Sequence, residues 1–172
     1  MKNFKSERGI GLMPFIWAFI AVLVIAGIVV GVVIINKNLN KESISANDFK
    51  NIMEDKDFEI VDVMDQFEEY DEYIKKAYIA LEEDYDYQIE FYKLDEEDDA
   101  ISFYKTNKEK FEASKGSSSV ETKVSMGNNS KYTLKTNDEY KVVSRIEDTV
   151  IYVDVDEKYE DEVKEILKEI GY

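Results

Sequence analysis

From Ile10 to Ile35 the chain runs 26 residues without a charged side chain, and within it the stretch FIWAFIAVLVIAGIVVGVVII, Phe15–Ile35, is almost wholly apolar. As a helix, the run from Ile10 would span about 39 Å at ~1.5 Å per residue. A bilayer's hydrocarbon core is ~30 Å thick, so the segment is long enough to cross it with tilt. A cleavable signal peptide has a shorter apolar core, followed by a polar region and small residues at the cut. Val24-Ile25-Ala26 offers small residues, but more apolar residues and Gly31 follow at once. The reading is a retained single-pass helix over 10–35, with a basic leader at 1–9, a linker at 36–43 and one domain at 44–172.

Lys2, Lys5 and Arg8 precede the run, and Lys37 and Lys41 follow it. Lys and Arg near a span set its orientation, and three against two places the N-terminus in the cytoplasm. The expected location is therefore the cell membrane, with residues 42–172 outside. Gly27 and Gly31 have the GxxxG spacing that lets two membrane helices approach closely, but Gly is common in membrane spans, so that plain reading is favoured over weak self-association of the span.

The rest of the chain excludes several kinds of chemistry. There is no Cys and no His. Disulfides, thiolate nucleophiles and Cys zinc sites are absent, and so are the usual general base near neutral pH and the commonest metal ligand. Of 22 basic and 38 acidic residues, five bases and one acid precede residue 42, which leaves 17 against 37 and a formal charge of −20 over 42–172. Such a surface repels phosphate backbones, so no nucleic acid is expected as partner, and a basic protein or cations are. Only three Gly fall after residue 42, Gly116, Gly127 and Gly171, which leaves no Gly-rich loop to cradle a phosphate.

Three amphipathic helices are predicted. Ser45 caps the first, with Asp48 three residues on and Ile44 packing against Phe49. The second runs from near Asp95 towards Ser114, burying Ala100, Ile101, Tyr104 and Phe111, and Gly116 ends it. The third starts near Asp156 and buries Tyr159, Val163, Ile166, Leu167 and Ile170. A period of two marks strands at 58–64, 74–81, 87–94, 120–126, 131–136, 140–146 and 149–155. Gly127-Asn128-Asn129, Asn137-Asp138-Glu139 and Glu147-Asp148 are turns too short for anything but antiparallel neighbours. The fold class is α+β: an N-terminal transmembrane helix, then one domain with an antiparallel sheet and about three helices, expected on one face. YQIEFYKLDEEDDAI and TVIYVDVDEKYEDEV both lead from strand into an acidic helix start, but with poor identity, so chance similarity is favoured over duplication.

Three acid clusters are candidate cation sites: Glu82-Glu83-Asp84-Tyr85-Asp86, Asp95-Glu96-Glu97-Asp98-Asp99, and Asp154 with Asp156. None has the Gly or the spacing of a calcium loop, and acids at a helix start answer the helix dipole. Ser117-Ser118-Ser119 reads as a loop, and the twelve Tyr read as sheet packing. No catalytic, cofactor-binding or metal residue is assigned, and no enzyme activity or cofactor is expected.

Two resemblances bear on function. YQIEFYKL, SKYTLKTNDEYKVVSRI and TVIYVDVDEKYEDEVKEILKEIGY resemble a group of uncharacterised membrane-anchored proteins of Gram-positive bacteria, which implies a surface domain without an assigned activity. ERGIGLMPFIWAFIAVLVIAGI resembles prepilin-type leaders, which implies the alternative of a pilin-like or pseudopilin subunit cleaved after Gly9. Pro14 stands where such subunits usually carry Glu, and Asn36-Lys37-Asn38-Leu39-Asn40 breaks a helix that would normally continue. The leading expectation is a non-enzymatic binding or sensing domain at the cell surface.

Overall fold

The computed structural model describes residues 39–172. The leader, the expected span over 10–35 with Gly27 and Gly31, and the first residues of the linker lie outside the described residues. No helix among the described residues is long and apolar enough to cross a membrane. Residues 40–172 form one compact unit.

The elements follow in the order α1 (Ala46–Glu54), β1 (Glu59–Asp62), a 3-10 segment (Met64–Tyr70), β2 (Ile74–Leu81), β3 (Gln88–Leu94), α2 (Glu97–Ala113), β4 (Val120–Met126), β5 (Asn129–Thr136), β6 (Glu139–Ile146), β7 (Thr149–Asp156), a 3-10 turn (Glu157–Tyr159) and α3 (Glu160–Glu169). The strands make one seven-stranded sheet ordered β1-β2-β3-β7-β6-β5-β4. Every neighbouring pair is antiparallel. The fold is α+β.

Caps and turns form where the side chains dictate. The Ser45 hydroxyl accepts from the Asp48 amide at 3.1 Å and donates to its carboxylate at 2.6 Å. The Glu96 amide donates to the Asp99 carboxylate at 3.3 Å, closing the start of α2. In the β5–β6 turn, Asn137 and Asp138 take φ of 53° and 64°, the left-handed conformations that suit a two-residue hairpin.

One expectation is corrected: the helices do not share a face. α1 and α3 pack with Phe49, Met53, Phe91, Val153, Leu167 and their neighbours on one side of the sheet. α2 packs on the other, where Ala100, Tyr104 and Phe111 meet Tyr92, Leu134 and Val143. Strand β6 is buried at both parities from Tyr140 to Ile146. Its odd positions include two charged residues, Lys141 and Arg145. In the structure each is only 5 % exposed. Lys141 bonds both Asp154 carboxylate oxygens at 2.7 Å and pairs with Glu139 at 2.8 Å. Arg145 donates to the Glu97 carboxylate and to the Glu147 carbonyl, both at 2.9 Å. Partners for each charge let α2 cover this face.

The same two-sidedness argues against duplication. A two-fold axis relating antiparallel neighbours β3 and β7 runs perpendicular to the sheet, so it keeps elements on their own side. The helices that follow those strands lie on opposite sides.

Where the chain enters the domain it is tied to one end of the sheet. The Lys41 amide donates to the Asn128 side chain at 2.9 Å, and its ammonium to the Gly171 carbonyl at 2.9 Å. Ser43 donates to Glu147 at 3.0 Å.

Candidate binding groove

Because α2 crosses the sheet, it leaves a concavity along each flank. On the first flank the opposite wall is the 3-10 segment, and two connected cavities of about 400 and 570 Å³ share Phe67, Phe103, Thr106 and Lys110. The walls are aromatic. Tyr92 stands between Phe67, 5.8 Å away edge-on, and Phe103, 4.6 Å away and tilted. Tyr152 stacks on Phe111 at 4.9 Å. Tyr70 and Tyr73, both more than half exposed, continue the apolar wall to the rim.

Glu90 lies at the floor. Its register places it beside Tyr152 on β7, and its carboxylate accepts from the Tyr92 hydroxyl at 2.5 Å and from the Gln88 amide at 2.8 Å. Burial, then the Glu90 charge, pushes the Tyr92 hydroxyl well above the usual tyrosine range, so it stays a donor to that carboxylate. Tyr152 is pushed up to about 12, first by burial and then by Asp154 and Glu90.

The rim is acidic. Asp65, Glu68, Glu69, Asp71 and Glu72 are all exposed on or just after the 3-10 segment. None of their carboxylates is in an ion pair among the described residues, and the Lys75 ammonium donates to the Asp71 and Glu72 carbonyls at 3.0 Å. The groove therefore offers ring faces, the Glu90 and Asp99 carboxylates and the Lys110 ammonium, beside a run of exposed acids. Of the two aliphatic hydroxyls that α2 brings to its wall, Ser102 and Thr106, the first is committed to the Asp98 carbonyl of its own helix at 3.0 Å.

The other flank has the opposite charge. A cavity of about 420 Å³ is lined by Lys105, Lys108, Lys123 and Arg145 with Tyr104 and Ile101. The formal charge of −20 is thus unevenly spread.

The three acid runs singled out in the sequence do not come together; each serves the fold, and Asp99 also lines the groove. Glu97, Asp98 and Asp99 occupy the first turn of α2. In the 82–86 turn, Glu82 accepts from the Asp84 amide at 3.0 Å and Tyr85 donates to Glu59 at 2.5 Å. Asp154 pairs with Lys141, and Asp156 caps the following turn through the Lys158 amide at 2.9 Å. Among the described residues no three His, Cys, Asp or Glu side chains are placed to hold a metal ion. The Ser117–Ser119 stretch docks on β5: Ser119 bonds the Thr136 hydroxyl at 2.9 Å, and a Cβ on Gly116 would meet Asn137 Oδ1 at 2.5 Å.

Sequence reasoning missed the groove. Its signal was the run DQFEEYDEY over 65–73, where acids interleave with Phe67, Tyr70 and Tyr73. Neither a helical nor a strand period describes that run, because it forms a 3-10 segment with a kink at Phe67.

Comparison with protein-family models, with curated proteins and with solved structures finds no match to this chain.

Proposed function

We propose that this protein is a membrane-anchored, non-enzymatic binding domain at the outer cell surface, and that its groove takes a cationic peptide segment carrying apolar side chains. The observation that carries this reading is an aromatic groove lined by the Glu90 and Asp99 carboxylates and one base, Lys110, whose 3-10 wall belongs to a run that exposes five acids. Ring faces hold aliphatic and aromatic side chains and attract cations. A carboxylate at the floor, already holding two donors, completes a site for an ammonium or guanidinium group. The acidic rim raises the local concentration of basic partners and speeds their arrival. Anchoring rests on the uncharged run over 10–35 and the basic residues before it.

The test uses a fluorescent peptide of alternating Lys and Leu, titrated onto the full-length protein in detergent. Binding should weaken by at least about tenfold as salt rises from low to several times physiological, because rim charges are screened beyond a Debye length of ~8 Å. The Phe103→Ala substitution should cost roughly tenfold or more at fixed salt, as loss of an aromatic wall does at a binding site. Preference for a Glu-Leu peptide, or binding indifferent to both salt and Phe103→Ala, would contradict the reading.

A further inference from the structure

Strand β4 ends the sheet, and every one of its seven residues is exposed. Three of the six large exposed hydrophobic residues are on it: Val120, Val124 and Met126. Open edges usually carry devices that stop further pairing, such as Pro, a bulge, a covering loop or charged side chains, and of these β4 has the charges Glu121 and Lys123. Pairing of β4 with β5 is regular from Val120 to Met126, without a register shift, and the strand contains no Pro.

The free hydrogen-bonding positions follow from the turn. Met126 and Asn129 are partners across the two residues Gly127 and Asn128, so they form the closing hydrogen-bonded pair. Alternation then directs the backbone groups of Val120, Thr122 and Val124 to β5. Those of Glu121, Lys123 and Ser125 point away from the sheet.

We infer that the occupant of this edge is the β4 strand of a second copy, paired antiparallel about a two-fold axis at Thr122. The sequence VETKV is complementary to itself in that arrangement. Glu121 opposes Lys123 of the second copy, Lys123 opposes its Glu121, Val120 and Val124 oppose each other, and Thr122 meets Thr122. The two nearest registers that keep the same backbone bonds place Glu121 against Glu121 or Lys123 against Lys123, which like-charge repulsion disfavours. Lys123 has no ion-pair partner among the described residues, and this register supplies one. Glu121 already pairs with Lys115 and accepts from Tyr132 of β5 at 2.9 Å, so Lys123 of the second copy is an additional partner for it. An isologous contact of this kind closes on itself and does not propagate into fibres. The inference is independent of the groove, which lies on the far flank of α2.

The antiparallel arrangement has a geometric consequence. Lys41 is bonded to Asn128, so the two chains enter at opposite ends of the joined strands, about 40 Å apart at ~3.3 Å per residue. Detergent micelles leave both orientations free and suit the test better than a single membrane.

The full-length chain has no Cys, so Thr122→Cys would supply its only thiol. In the proposed register position 122 is a non-hydrogen-bonded pair with Cα atoms ~4.5 Å apart, within disulfide reach. Mild oxidation of Thr122→Cys protein at micromolar concentration should yield covalent dimers. Adding Lys123→Glu should cut that yield roughly tenfold, because both cross-strand pairs become repulsive. Adding Glu121→Lys to Thr122→Cys should do the same, and mixing these two charge-reversed proteins should restore cross-linking between them. Lys123 is exposed, is in no ion pair among the described residues and lines the basic cavity beside Lys105, Lys108 and Arg145, where an acid is tolerated, so its reversal leaves the fold intact even if the Glu121 change does not. Three outcomes would overturn the inference: Thr122→Cys protein that stays monomeric, yields unmoved by charge reversal (association through another part of the chain), or Cys at 121 or 123 that self-links as well as Cys at 122.

Discussion

Raising the pH from 10 to 12 is expected to unfold the domain cooperatively. Tyr140 and Tyr152 are each pushed up to about 12 from the ordinary 10.0, with burial as the largest cause. Tyr87, Tyr92 and Tyr172 are raised further, again with burial first. A buried phenolate is penalised, so the folded chain holds protons that the unfolded chain releases from about pH 10. The stabilisation is complete below that value and is lost as pH climbs through the folded pKa. A rise of two units costs at most about 2.7 kcal/mol per group, fully so only for enclosed Tyr140 and less for half-buried Tyr152, whose charge solvent screens, so the two together remove roughly 3–4 kcal/mol. Total stability of a domain is ~5–15 kcal/mol, and the other three groups pull the same way. Tyrosinate absorbance should therefore rise in step with loss of the far-ultraviolet circular dichroism signal. A full tyrosinate signal from a chain that keeps its secondary structure would show that these hydroxyls are not enclosed.

Truncating the core beneath α1 is expected to have the second large effect. Phe91 is fully buried, and its ring stacks on Phe49 at 4.8 Å between the sheet and α1. Phe91→Ala removes that ring from a close-packed layer and should cost about 3–5 kcal/mol. For a domain of this size the melting temperature should fall by roughly 10–20 °C. Val124 is 41 % exposed on the edge strand, and Val124→Ala should change stability by no more than ~0.5 kcal/mol. Thermal melts of the two variants beside the parent check both numbers. A small Phe91 effect would mean that α1 does not dock on β3.

Much of the fold was legible because local chemistry and tertiary structure agree along most of this chain. Ser45 with Asp48, the Asn137-Asp138 turn and Gly171 after the last helix each satisfy backbone demands where they stand, and the boundaries they imply match the elements to within a few residues. The burial of Lys141 and Arg145 was illegible for a definite reason. A charged residue at alternate strand positions looks like a solvent face unless its partners are known, and those partners, Asp154 and Glu97, come from other elements. Ile101 shows the same limit on a helix: it reads as core, yet it lines the basic cavity half-buried, while Asn107 is 7 % exposed and donates to the Phe103 carbonyl at 2.9 Å. Of the groove, the sheet residues Glu90, Tyr92 and Tyr152 were visible only as strand positions. Its other wall is irregular, and only the fold brings the two together.

The central claim is that residues 42–172 stand outside a membrane crossed once by residues 10–35. Protease added to intact protoplasts that carry the full-length chain measures it directly. The account predicts loss of an epitope placed after Tyr172 without lysis, while an epitope placed before Met1 is protected. Protection of the C-terminal epitope until the membrane is broken would contradict it.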